Sequence, residues 1–181
     1  MKIDPSRCVT PMGRMSFPKV FKADAFKDQE PKFSCTILFD AKTDLSAMEA
    51  ACDAAIEKEY PAKRGMPKKF KRPFRDGDDK EDLDGYAGKI FVAASNKQRP
   101  AVVDKDLSPI SEESGDFYAG CYGRLALRAF CYDVNGNAGV TFSLEHVQKL
   151  KDGESFTGKM KVEDAFDSVA DDAGEDDDGG F

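Results

Sequence analysis

Residues 118–144 carry the pattern that constrains this chain most. From Tyr122 to Tyr132 the odd positions Leu125, Leu127, Ala129 and Cys131 are apolar, whereas the even positions Tyr122, Arg124, Ala126, Arg128, Phe130 and Tyr132 combine rings with guanidiniums. A period of two turns successive side chains to opposite faces of a strand; a helix would scramble both sets. Asn135-Gly136 follows, a strong hairpin signal because both residues accept the positive φ of a tight turn. Gly139-Val140-Thr141-Phe142-Ser143-Leu144 then reads as the return strand. A long hairpin with one apolar face cannot stand alone, so the rest of the chain must supply strands that cover it.

Those partners are visible upstream. Around Gly13–Pro18, Met15 and Phe17 alternate with polar Arg14 and Ser16, which places both apolar residues on one face. Phe33, Cys35, Ile37 and Phe39 share a face of the segment 33–39, and further strands are expected at 89–94 and 101–103. The long strand is expected over 118–132. Between 44 and 60 the period changes: Leu45, Met48, Cys52, Ala55, Ile56 and Tyr60 are three or four apart, with Thr43 or Asp44 as N-cap and Pro61 as the stop. That is one amphipathic helix. Residues 61–88 read as a long excursion without secondary structure, 104–116 as a polar loop, and 162–169 as a short helix or pairing segment. The expected fold is mainly β, an OB-type closed barrel of five or six strands with one internal α-helix, long loops and a disordered acidic C-terminal tail. A two-sheet sandwich is the competing architecture.

Charge divides the chain. It has 27 bases against 34 acids, a net charge of −7, but nine of those acids and none of the bases lie after residue 162. The predicted domains are therefore a mildly cationic body, 1–162, and an acidic flexible tail, 163–181. No apolar run approaches the length of a membrane span, and the first residues lack the apolar region of a secretory signal. Five cysteines without a C-x-x-C pair read as reduced, mostly buried thiols of a cytoplasmic protein. His146 is the only histidine. That removes most zinc sites and histidine-based nucleophile systems, so no enzyme activity, catalytic residue, metal or other cofactor is expected. The acidic run Asp76–Gly85 fails the EF-hand template, because Lys80 and Glu81 stand where Asp or Asn and Gly are needed. Gly85, Gly88, Gly120 and Gly123 form no phosphate-binding glycine motif and mark turns, bulges or close backbone approaches.

Two clusters instead fit a single-stranded nucleic acid. Lys63, Arg64, Lys68, Lys69, Lys71, Arg72 and Arg75 place seven cations within thirteen residues, with Phe70 and Phe74 interleaved. Pro61, Pro67 and Pro73 disfavour a helix there, so the cations lie along an extended loop. Such a loop offers charge to phosphates and rings to unstacked bases. Independently, the even face of the 122–132 strand presents Tyr122, Phe130 and Tyr132 as stacking platforms and Arg124 and Arg128 for phosphates. Lys89, Lys97 and Arg99 are candidate rim contacts. A plain solvated loop, with its phenylalanines in the core, and a second packing layer over Phe130 and Tyr132 are the structural alternatives. The tail ends Glu175-Asp176-Asp177-Asp178-Gly179-Gly180-Phe181. One terminal ring beside a carboxylate suits a partner pocket with a basic rim, and the same acids suit the body's cationic groove when it is empty.

An acidic tail ending in Phe behind a β-rich body resembles single-stranded DNA-binding proteins, and the body is similar to their tailed-phage branch, related to the T-odd phage replication protein. The matching segments are Gly13–Pro18, Phe33–Phe39, Tyr118–Tyr122 and Gly139–Leu144 through Val147-Gln148, covering most of the chain from residue 13. Gly179-Gly180 depart from the aliphatic and proline that bacterial tails typically carry. The resemblance implies an OB barrel that coats single-stranded DNA without catalysis, in phage replication, recombination and repair, with a tail that recruits replication or recombination proteins. It also implies the cytoplasm of a bacterial host. The sequence suits a monomer or a dimer and no membrane partner. A strand-annealing protein, an acidic DNA mimic or scaffold, and a metal-dependent nuclease are the alternatives; the aromatic-cationic face disfavours the mimic, and the missing histidines the nuclease.

Overall fold

The computed structural model describes residues 3–25 and 27–156, together with 166, 167 and 169; the expectations for 162–169 and for the tail lie, in whole or nearly so, outside the described residues. The elements are β1 (Arg7–Val9), β2 (Gly13–Asp24), β3 (Lys32–Asp40), α1 (Ser46–Glu59), β4 (Phe70–Lys71), β5 (Arg75–Asp76), β6 (Lys89–Asn96), β7 (Ala101–Val103), β8 (Tyr122–Val134) and β9 (Asn137–Lys151). Five of them close a ring in the order β2–β3–β6–β9–β8 and back to β2, and β1, β4, β5 and β7 fringe it. The ring is the expected OB-type arrangement and not a pair of stacked sheets. Its joints are unequal. β8 and β9 pair along their length, and β3 and β6 from Phe33↔Asn96 to Asp40↔Lys89, whereas β6 meets β9 only at Ala94↔Phe142 and Ser95↔Ser143. β2 and β8 meet only at Gly13↔Gly123 and Arg14↔Tyr122.

The apolar faces read from the sequence fill the interior. Met15, Ile37, Phe39, Val92, Leu125, Leu127, Phe142 and Leu144 are all buried, and α1 adds Met48, Ala51, Cys52, Ala55 and Ile56. The helix starts at Ser46, whose N–H donates to Asp44 Oδ1 at 3.0 Å, and it ends just before Pro61. It packs on the core side of β8, where the half-buried Cys131 thiol lies 3.6 Å from the Ala55 carbonyl. Among the described residues no helix is long and apolar enough to cross a membrane.

Four expectations are corrected. The long strand starts at Tyr122, not Tyr118, because Gly120 takes φ +111° and turns the chain so that its N–H donates to Met15 O. A side chain there would press to within 2.0 Å of the Glu154 carbonyl. Second, the return strand runs on to Lys151. Its register with β8 slips at Glu145 and at Leu150, and each extra residue bends β9 enough to continue around the ring. Third, Phe17 does not join Met15 in the core. Between Ser16↔Thr36 and Lys19↔Ser34 two residues of β2, Phe17 and Pro18, oppose one of β3, Cys35, so a bulge reverses the alternation; Ser16 is buried and Phe17 exposed. Fourth, residues 61–88 are not without secondary structure: 3-10 turns at Pro61–Lys63 and Gly77–Lys80 flank β4 and β5, and Tyr86 packs on Leu38 and Phe91 as a small second core.

Candidate nucleic-acid interface

The residues that face away from the core on β8 meet those of β9 and β6 in register. Arg128 stands beside Arg7 on one side and Ser143 on the other, Ser143 beside Ser95, and Phe130 beside Thr141. Two recesses open on this face. One, of about 540 Å³, is lined by Arg7, Asn96, Gln98, Arg99, Arg128, Phe130, Ser143, Glu145 and His146. The other, of about 590 Å³, is lined by Lys71, Arg72, Pro73, Arg75, Ala93, Tyr132, Val140 and Thr141. Phe130 of the first is the register partner of Thr141 of the second, so the two adjoin along one surface. The strand face and the basic loop, two separate patterns in the sequence, thus converge.

Individual side chains differ in how free they are. Phe130 is 43% exposed, since α1 covers the opposite face of β8, while Tyr132 is half-buried. Arg128 Nε lies 3.8 Å from Asp4 and Arg7 Nε 3.1 Å from Glu145. Hydrogen bonds from the Ser6 side chain and backbone hold the Asp4 carboxyl below its usual range, and the charges of Arg128 and Arg7 add to this. In the loop, both terminal nitrogens of Arg72 donate to Asp53 Oδ1 at 3.2 Å, which ties the loop to α1. Arg75 lies over the Phe91 ring at 5.0 Å. Phe70 and Phe74 are half-buried, with their rings edge-on to Tyr60 at 5.8 Å and to Phe142 at 6.2 Å. They fasten the loop to the body.

Other candidates sit elsewhere. Lys63, Arg64, Lys68 and Lys69 are exposed along the approach to β4 and line neither recess. Lys97 pairs with Glu30, and Lys89 with Asp40. Tyr122 lies eight residues along β8 from Phe130, about 26 Å at strand spacing; it is flanked by Arg14 at 5.7 Å and Lys151 at 4.8 Å. With Lys89 it lines a separate recess of about 140 Å³. Arg124 donates to Gln148 Oε1 at 2.6 Å. Glu175, Asp176, Asp177, Asp178 and Phe181 lie outside the described residues. The acidic run after the basic loop is occupied locally: Asp76 accepts from the Asp78 N–H, and Asp78 from the Gly88 N–H at 2.7 Å. Among the described residues no three His, Cys, Asp or Glu side chains converge as a metal site would require.

Sequence reasoning missed Arg7, Asn96, Gln98 and His146 as lining residues. Arg7 reaches the recess only because the three-residue strand β1 pairs with β8, which no local pattern announces. Asn96 ends β6 and Gln98 follows it in the turn, one on either side of Lys97. Chemically the surface offers one exposed ring and several guanidiniums whose carboxylate partners are solvent-exposed or partly so. Exposed ion pairs are worth little, so a phosphate can replace a carboxylate at small cost.

Comparison with known proteins places this architecture. The model of the family of the Enterobacter phage Enc34 ssDNA-binding protein matches residues 6–178. Protein p50 of Acyrthosiphon pisum secondary endosymbiont phage 1 is 37% identical over 157 residues, covering 80% of this chain and 83% of that protein. Among solved structures, the single-stranded DNA-binding protein from bacteriophage Enc34 in complex with ssDNA superposes with a TM-score of 0.70 at 24% identity, over 86% of this chain and 96% of that one. The bacteriophage T7 single-stranded DNA binding protein gp2.5 superposes with a TM-score of 0.54 at 15% identity, over 88% and 99%. The ring of five strands with its helix is the fold these phage proteins share, and the chain belongs to the family of the Enc34 phage ssDNA-binding protein, a family of non-enzymatic binding proteins.

Proposed function

We propose that this chain binds single-stranded DNA with little sequence preference, as a coating protein in phage DNA replication, recombination and repair inside the bacterial host. The observation that carries the reading is the continuity of the two recesses, which joins Phe130 and Tyr132 to Arg128, Arg99, Lys71, Arg72 and Arg75 on one surface. Rings there stack unstacked bases at about 1–3 kcal/mol each, and the cations neutralise phosphates. Lys63, Arg64, Lys68 and Lys69 extend the cationic approach, Lys97 continues it at the rim, and Phe70 and Phe74 hold the loop in place. Tyr122, Arg124 and Lys89 form a second contact area for a longer strand. The family relationship supports the same reading, since the Enc34 relative is described in complex with ssDNA.

The tail has two roles in this proposal. Its nine acids compete with DNA for the groove, and Phe181 with the preceding acids recruits replication or recombination proteins. Binding of the full chain to oligo-dT and to duplex, followed against salt, tests the central claim. Single strands are expected to bind more tightly, with a log–log salt slope near −3 if about four phosphates are neutralised. Equal affinity for duplex, or an affinity that barely responds to salt, overturns it.

A further inference from the structure

Phe17 is placed at a cost that the fold does not explain. It takes φ 45°, a left-handed backbone that disfavours a bulky residue, and it leaves an aromatic ring 56% exposed. The bulge in β2 makes this happen, and bulges commonly re-aim a side chain. Tyr86 backs the ring at 6.5 Å between centroids, and its hydroxyl is hydrogen-bonded to Ser16 Oγ at 2.8 Å. The ring is thus supported from behind and open in front.

The register shows what it faces. Outward from the ring, Ser34, Ser95 and Ser143 are aligned across β3, β6 and β9, ending at Arg128 on β8 and at Lys19 on β2. Alongside, Ser16, the neighbour of Phe17, is paired with Thr36 and Thr36 with Ala93, while Thr141 is paired with Phe130; Ala93 and Thr141 line one recess. No side chain on this floor is larger than threonine. Each end carries one exposed ring and one cation: Phe130 with Arg128, and Phe17 with Lys19. Four strand spacings separate the ends, about 19 Å. A shallow trough of small residues between two ring–cation pairs fits an extended polyanion with splayed bases, and it is too long to be explained by a single stacking contact.

We propose that the single strand crosses β8, β9, β6, β3 and β2 transversely, with one base stacked on Phe130 and another on Phe17, and with phosphates held by Arg128 and Lys19. This path rests on the single-strand reading above. The chain contains no tryptophan, so F17W and F130W each introduce the sole indole as a reporter. With oligo-dT long enough to span the trough, the indole emission of both variants is expected to fall on saturation; with an oligomer too short to reach both ends, at most one falls. F17G should bind the long oligomer at least about five-fold more weakly, the low end of one lost stacking contact. Its melting temperature should be equal or higher, because glycine adopts this φ freely. If F17W emission stays constant while F130W emission falls, or if F17G binds as tightly as the parent, the transverse path is wrong and the single-strand reading survives. If the parent itself does not retain oligo-dT in a gel, that reading fails instead.

Discussion

The thiols show how position sets chemistry in this chain. Cys35, Cys52 and Cys121 are buried, Cys8 and Cys131 half-buried, and all five are free. Burial pushes Cys8 up to about 11 and Cys52 up to about 12 from an ordinary value of 9.0, and drives Cys35 upward as well. The folded chain therefore keeps protons that the unfolded chain releases above pH 9. Stability from this source is complete below pH 9 and is lost as pH rises from there through 11 and 12. Chemical unfolding at pH 8 and at pH 10 should give a lower midpoint at the higher pH, and replacing Cys8 and Cys52 by alanine or serine should reduce that difference. Alkylation at pH 8 should be slow in the folded protein, since the thiolate is the nucleophile. Single residues were also where the sequence was least legible. The alternation of β8 placed Leu125, Leu127 and Ala129 inside and Phe130 outside without help from the rest of the chain, but the same rule put Phe17 in the core. A bulge adds one residue, reverses everything after it, and depends on the partner strand, so no reading of residues 13–18 alone reveals it.

At the level of elements, the period of the pattern carried most of the information. The helix was legible to within two residues at each end, because apolar spacing, Asp44 and Pro61 act locally. Strand ends were less so: Gly120 cut β8 short and two bulges lengthened β9, both through contacts with distant segments. The loop 61–88 looked featureless since its order comes from outside it, through Tyr86 on Leu38 and Phe91 and through Arg72 on Asp53. That last pair yields a prediction. Asp53 is an exposed acid holding a cation that lines the groove, so D53A should cost less than about 1 kcal/mol in stability while tightening oligo-dT binding a few-fold. Thermal melts and filter binding on the same preparation check both halves; weaker binding would mean that the tether positions Arg72 for the strand.

For the molecule as a whole, charge distribution mattered more than net charge. A sum of −7 suggests a chain that avoids nucleic acid, whereas the first 162 residues carry 27 bases and 25 acids and the remainder only acids. The convergence of Arg7, Arg99 and Arg128 with the basic loop was illegible, because it is made by pairings between strands far apart in sequence. If the tail competes with DNA, a chain ending at Val162 should bind oligo-dT more tightly than the full chain, and the gain should shrink as salt screens the competition. Equal affinities at low salt would remove the competition and leave recruitment by the tail to be tested with partner proteins.

The narrow joint between β6 and β9 has a mechanical consequence. Only Ala94↔Phe142 and Ser95↔Ser143 zip this seam, and the proposed path of DNA passes directly over Ser95 and Ser143. A polymer lying across a seam acts as a strap. Occupancy should therefore slow amide hydrogen exchange around residues 94–96 and 142–144 more than in the β8–β9 hairpin, whose long ladder needs no reinforcement. In that picture the bound strand is a hoop laid across the staves of the ring, and the protein is stiffest when it is loaded.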